Sequence, residues 1–288
     1  MVERDEFTIR FRDGAPLELG LRTRVMGILN LTPDSFSDGG RHERLPAAME
    51  AAARMAEAGV DIIDIGGEST RPGAPDVGEA EEADRVLPAI EAVKRQFGAR
   101  VSIDTTKAAV ARQALAAGAD LVNDVSAFGD PGMLPLVREA GVPAVLMHMR
   151  GTPRTMQRNT HYDDLTSSIT DFLRERVETA VAAGVSDDKI LVDPGIGFGK
   201  SATGNLLILE EIPALKRVGR PILIGASRKS FIGKLRGRPV DDRLEESLAV
   251  AAYASAQGAH VIRAHDVAST VRVVRMIDEI RGANRGAS

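Results

Sequence analysis

Eight short runs of β-branched and aliphatic residues recur along the chain, and each ends on a polar side chain. They are VMGILN at Val25–Asn30, VDIIDIG at Val60, RVSIDTT at Arg100, ADLVNDV at Ala119, PAVLMHM at Pro143, KILVDPG at Lys189, RPILIGAS at Arg220 and AHVIRAH at Ala259. Runs of this length and composition read as strands. The segments between them are alanine-rich with apolar residues at helical spacing, as in AAMEAAARMAEAG, KAAVARQALAAG, DFLRERVETAVAAG and ESLAVAAYASAQG, and they often stop at a glycine able to form a left-handed cap.

Strands alternating with helices predict an α/β protein with a parallel sheet buried on both faces, and eight such units match a closed (β/α)8 TIM barrel better than an open doubly wound sheet. Before the first strand, FTIRF and PLELG flank the turn Arg12-Asp13-Gly14 and predict a hairpin across the barrel's N-terminal mouth. No linker interrupts the series. One domain is therefore expected, with the hairpin in residues 1–22, the barrel in 23–282 and a disordered tail in 283–288.

Composition narrows the chemistry. The 288 residues are 43% hydrophobic, enough for a large core, and no apolar run is long enough to cross a bilayer. The N-terminus MVERDEFTIR is charged from its third residue and is no secretory signal, so a cytoplasmic enzyme is expected. With no cysteine there is no thiol nucleophile or Cys-ligated metal, and the five histidines have no zinc-type spacing, which leaves a hard ion held by oxygen. A net charge of −4 without a basic stripe argues against nucleic acid as a partner.

In such a barrel the site is built at the C-terminal strand ends, and here those ends carry Asn30, Asp64, Asp104, Asn123, His148, Asp193, Arg228 with Lys229, and Arg263 with His265. Any one of them alone is an ordinary turn or cap residue. Eight together predict a convergent polar cavity. Asp104 and Asp193 stand within strands, where burial penalises a charge that has no partner. The stretch DPGIGFGKS at Asp193 imitates a phosphate loop but has the spacing of neither a Walker A motif nor a dinucleotide fingerprint. Nor does any serine sit in a GxSxG elbow.

Taken in order, NLTPDSFSDGG from Asn30, DIGGESTRPG from Asp64, SIDTTK from Ser102, NDVSA from Asn123, MHMRGTP from Met147, DPGIGFGK from Asp193, SRKSFIG from Ser227 and RAHDV from Arg263 resemble the dihydropteroate synthases, the pterin-binding TIM-barrel family. The resemblance covers nearly the whole chain. Ala226, where relatives often carry threonine, is a mild departure expected to affect packing only. The resemblance implies a transferase that joins 6-hydroxymethyl-7,8-dihydropterin pyrophosphate to 4-aminobenzoate in folate biosynthesis.

On that resemblance, Asp193 accepts the paired N–H donors of the pterin edge, Asn123 and Lys229 serve the remaining edges, and Asp104 completes the ring contacts. Val125, Met147 and Phe198 supply apolar walls. Arg263, His265, Thr70 and Arg71 are expected to hold pyrophosphate, helped by the start of the helix near Asp266, and Asn30 to hold Mg2+ through its amide oxygen. Leu31–Arg41 and Gly66–Gly78 are expected to be lids that shield a carbocation formed by SN1-like loss of pyrophosphate. In them, Phe36 and Pro72 would sandwich the aminobenzoate ring, Asp38 and Ser69 would support closure, and Lys229 and Ser230 would meet the aminobenzoate and its carboxylate. A pterin-dependent methyltransferase domain and a non-catalytic pterin-binding paralogue are the alternatives. A homodimer is expected, through ESLAVAAYASAQG and VASTVRVVRMIDEI.

Overall fold

The computed structural model describes residues 2–32, 41–71 and 73–283. Phe36, Asp38, Pro72 and residues 284–288 of the expected tail lie outside the described residues, as does most of the first predicted lid. The chain opens with β1 (Phe7–Ile9) and β2 (Leu17–Leu19), an antiparallel hairpin in which Phe7 faces Leu19. Eight parallel strands follow: β3 (Arg24–Asn30), β4 (Ile62–Gly66), β5 (Val101–Asp104), β6 (Leu121–Asp124), β7 (Ala144–Met147), β8 (Ile190–Asp193), β9 (Leu223–Ile224) and β10 (Val261–Ala264). Each pairs with its successor from β3 to β8, and β9–β10–β3 completes the order. A parallel bridge between Val192 and Ile222 closes the remaining gap. All eight predicted runs are therefore strands of one closed barrel.

Helices α1 (Arg41–Glu57), α2 (Glu79–Phe97), α3 (Ala108–Ala116), α4 (Met133–Ala140), α5 (Leu165–Ala182), α6 (Ala202–Glu210), α7 (Ile212–Leu215), α8 (Ser230–Arg236), α9 (Leu244–Ala256) and α10 (Val267–Gly282) form the outer layer. Local chemistry sets their ends. In α2, Glu79, Glu81 and Glu82 occupy the first turn and Lys94 and Arg95 the last, complementing the helix dipole, before Gly98 caps the helix at φ 59°. Asp164 caps α5 by accepting the Ser167 N–H at 2.9 Å.

Alternation along the strands separates two cores. Ile63, Ile65, Ile103, Val122, Leu146 and Val192 face outward into the helical layer, where Ala226 also packs. Met26, Ile62, Leu121, Val145, Leu191, Leu223 and Val261 face inward and fill the lower barrel against Ile9, Leu17 and Leu19 of the hairpin. The N-terminal mouth is thus plugged with apolar side chains, and inward positions nearer the other end carry polar ones.

Candidate active site

A cavity of about 480 Å3 opens at the C-terminal ends of the strands. Asn30, Asp104, Arg263 and His265 line it from strand ends, Ser69, Thr70 and Arg71 from the loop after β4, and Lys229 and Ser230 from the segment after β9. Phe198 lines one wall, with the Lys229 ammonium 3.9 Å above its ring centre. Phe198 packs with Val125, Met147 and Met156 in one apolar cluster, of which Phe198 and Met156 line the cavity. Met156 belongs to that cluster although the loop that carries it is too rich in Gly, Thr and Pro to announce a buried methionine.

Asn123 and Asp193 are buried and do not themselves line the cavity; Asn123 connects to it through Asp64 and Arg263, and Asp193 lies next to Gly225, which does line it. Asp193 Oδ1 accepts the Gly195 N–H at 2.7 Å, and Oδ2 lies 3.8 Å from where a Cβ on Gly225 would stand. Gly225 lines the cavity, and its missing side chain leaves room above that carboxylate. Burial raises Asp193 above the usual carboxylate range, against the Gly195 hydrogen bond and the Lys229, Lys200 and Arg263 charges.

Arg263 joins the floor to the mouth. Its Nε donates to Asp64 Oδ2 at 2.6 Å and a terminal nitrogen to Asp104 Oδ2 at 2.6 Å. Asp64 Oδ2 also accepts the Asn123 amide nitrogen at 3.1 Å, which fixes the orientation of that amide. Asp64, fully buried, therefore orients two neighbouring side chains, a role that its place on a strand end alone does not reveal. Burial pushes Asp104 up to about 7, helped by the Asp64 and Glu82 charges and opposed by Arg263. Burial and then the Arg263 charge bring Lys229 down to about 8, although Asp193 and Asp104 pull the other way.

His265 sits beside this cluster. Ser227 Oγ accepts its backbone N–H at 3.2 Å and lies 3.1 Å from Nδ1. A hydroxyl that accepts the N–H can donate its own proton to Nδ1, which places the ring proton on Nε2. Burial and the Arg263 charge lower the His265 pKa to about 3, so the ring acts as a neutral donor. The segment between Ser227 and Lys229 turns through Arg228 at φ 56°, a left-handed conformation costly for a side-chain-bearing residue. Arg228 is held there by Asp266, at 3.0 and 2.5 Å, and by the Ser247 hydroxyl, 3.0 Å from its N–H. Asp266 is thereby committed to Arg228 and makes no side-chain cap on α10.

Two features expected at the site do other work. His148 ends its strand but turns away from the cavity: its ring meets Phe172 edge-on at 5.0 Å, and Nδ1 faces the Lys200 ammonium at 2.8 Å. Burial, followed by the Lys200 charge, lowers the His148 pKa to about 3. Lys200 is itself buried and donates to the carbonyls of His148, Pro194 and Gly195 at 2.7–2.9 Å. The glycine-rich stretch is thus a lysine cage that ties the ends of β7 and β8 together. Gly195 at φ 70° and Gly197 at φ 84° give the loop the left-handed turns this needs, and Gly197 also lets the Lys229 stem pass at 3.0 Å from a would-be Cβ.

A closed parallel barrel with floor carboxylates, an apolar wall and cations at the rim defines an enzyme site for a flat nitrogen heterocycle carrying an anionic tail. Residues 26–265 match the model of the pterin binding enzyme family. The chain is 44% identical over 268 residues to the dihydropteroate synthase of Escherichia coli K12, covering 93% of this chain and 95% of that one. A Yersinia pestis dihydropteroate synthase crystallised as a sulfonamide drug complex superposes with a TM-score of 0.90 at 45% identity, over 96% of this chain and 100% of that one. A Xanthomonas albilineans dihydropteroate synthase in complex with 7,8-dihydropteroate superposes with a TM-score of 0.83 at 43% identity, over 92% and 96%. The chain belongs to the pterin-binding enzymes and, within them, to the dihydropteroate synthase family.

Proposed function

We propose that this chain condenses 6-hydroxymethyl-7,8-dihydropterin pyrophosphate with 4-aminobenzoate to give 7,8-dihydropteroate and pyrophosphate. The observation that carries the reading is the single cavity in which Arg263 connects the floor carboxylates to the rim. Asp193 accepts the adjacent N–H groups of the pterin, Asn123 presents its amide to the next edge, and Lys229 serves the carbonyl side while Phe198 packs on the ring. Arg263, His265, Thr70 and Arg71 hold the pyrophosphate. Ser230 meets the aminobenzoate carboxylate, with Phe36 and Pro72 assigned to its ring, Asp38 and Ser69 to loop closure.

The amine of aminobenzoate is neutral and a weak nucleophile, poorly suited to displacing pyrophosphate directly. The C–O bond therefore breaks first, its electron pair leaving with pyrophosphate, and the dihydropterin ring spreads the positive charge. The amine nitrogen then bonds to the methylene and releases its proton. Fixed cations around the leaving group supply the stabilisation of developing charge. Magnesium is the proposed cofactor, and when bound it would neutralise the departing diphosphate. Asn30, which lines the cavity at the end of β3, would hold that ion through its amide oxygen.

Two copies are proposed to pair through α9 and α10, whose Tyr253, Met276 and Ile280 are exposed. A cytoplasmic location is proposed; among the described residues no helix is long and apolar enough to cross a membrane. Sulfonamides, as aminobenzoate mimics, are proposed inhibitors. The test is to incubate the protein with the dihydropterin pyrophosphate, radiolabelled aminobenzoate and Mg2+. Labelled pteroate is expected, and its loss on adding EDTA; a folate-binding protein that forms no labelled product would return the methyltransferase or non-catalytic readings.

A further inference from the structure

Behind the loop after β4 lies a chain of charged side chains that the chemistry above does not use. Glu68 Oε1 accepts the Val77 N–H at 2.8 Å and so ties the start of the loop after β4 to its end. Its Oε2 accepts from Lys107 Nζ at 2.6 Å. The same ammonium donates to Glu82 Oε2 at 2.6 Å, and Glu82 is fully buried at the start of α2 with Oε1 unpartnered. Arg85, on the same helix, donates to the Gly67 carbonyl at 2.6 Å. Gly67 packs so tightly on α2 that a Cβ there would lie 2.9 Å from Val86. Both ends of the loop are therefore fastened, and Ser69, Thr70 and Arg71, directly after Glu68, line the cavity with it.

Lys107 lies just beyond Asp104 and occupies the N-cap position of α3 without a side-chain cap, its ammonium being turned to Glu68 and Glu82. Its ammonium thus connects the end of β5, α2 and the base of the loop. Burial opposes its charge, but the hydrogen bonds from Glu68 and Glu82 outweigh that and hold its pKa above the usual lysine value. Pairing buried Glu82 would need one cation and nothing more. Here the cation also grips Glu68, a residue on the cavity wall, so the loop is fixed by an electrostatic contact made outside the pocket.

We propose that Lys107 is a positioning residue that acts through Glu68 to hold Ser69, Thr70 and Arg71 in the cavity wall, so that the anion and aminobenzoate subsites depend on it and the ring floor does not. This rests on the reaction proposed above. Lys107→Met leaves Glu82 buried and uncompensated, so the informative variant is Lys107→Met/Glu82→Gln. Measured against Glu82→Gln alone, which carries any effect of the Glu82 charge on Asp104, its KM for aminobenzoate is expected to rise about tenfold, and its affinity for inorganic pyrophosphate with Mg2+ to fall comparably, while 6-hydroxymethyl-7,8-dihydropterin binds within about twofold. Lys107→Arg should restore function, and adding Glu68→Gln to the double variant should cost nothing further. Equal weakening of the pterin alcohol, an unchanged KM, or an additive loss on Glu68→Gln would overturn the proposal. A wild-type protein that makes no dihydropteroate would instead remove the proposed reaction, and the pyrophosphate titration would still report on the loop.

Discussion

His260 links the N-terminal segment to the seam where the barrel closes, and it should make that seam sensitive to acid. Its Nδ1 accepts the N–H of Ile222, the residue that bridges to Val192, at 3.0 Å, and Nε2–H donates to the Asp5 carbonyl at 3.0 Å. The ring also meets Phe7 edge-on at 5.2 Å. Protonating Nδ1 would remove the acceptor for Ile222. Burial lowers the His260 pKa from 6.5 to about 4; the Asp5 carbonyl opposes this, the Arg4 and Lys216 charges add to the lowering, and the Asp5 carboxylate counteracts it.

The sign follows from linkage. Above pH 6.5 neither the folded nor the unfolded state holds the proton, and the full stability is present. Between 6.5 and 4 the unfolded chain takes up a proton that the folded one refuses, so stability falls as pH falls. A shift of this size corresponds to about 3.4 kcal/mol in full, of which about 2 kcal/mol is lost by pH 5. His260→Asn does not titrate and keeps an oxygen near the Nδ1 position. Urea unfolding at pH 7.5, 6 and 5 should therefore show the wild-type advantage over His260→Asn shrinking by about 2 kcal/mol across that range. An advantage that stays constant within about 0.5 kcal/mol would refute the reasoning.

Other outcomes follow from the same geometry. Asp193→Asn offers a donor where the pterin edge also donates, and calorimetric pterin affinity should drop about 10- to 100-fold. Lys200→Met strands the His148 and Pro194 carbonyls, while Gly195 keeps the Phe198 N–H, and should lower unfolding free energy by about 3 kcal/mol in denaturant titrations, with the ends of β7 and β8 losing hydrogen-exchange protection. Asp64→Asn leaves Arg263 with Asp104 as its only carboxylate partner; kcat/KM should fall roughly 100-fold. Because the Asp64 charge helps to raise Asp104, any acid limb of the pH profile set by Asp104 should move to lower pH in that variant.

Spacing along the chain was enough for the fold. Short aliphatic runs alternating with amphipathic alanine-rich segments have essentially one well-packed solution when there are eight of them, and the RDG turn between FTIRF and PLELG placed the hairpin. The polar residue at each strand end was equally visible, because it interrupts an apolar run. Which of those residues share the cavity was decided only by the closed barrel. Inward and outward positions alternate with the register, so Asn123, Asp193 and Arg263 converge, while His148, the first residue past its strand, turns to Lys200. The glycine-rich stretch had to fold before its lysine could be recognised as a cage. Asp64, Lys107 and Glu82 act through partners between 25 and 199 residues away in the chain, and no local pattern carries that information. Side-chain preferences act over a few neighbouring residues and so mark strands, helices and turns; hydrogen bonds between distant strands exist only once the barrel has closed.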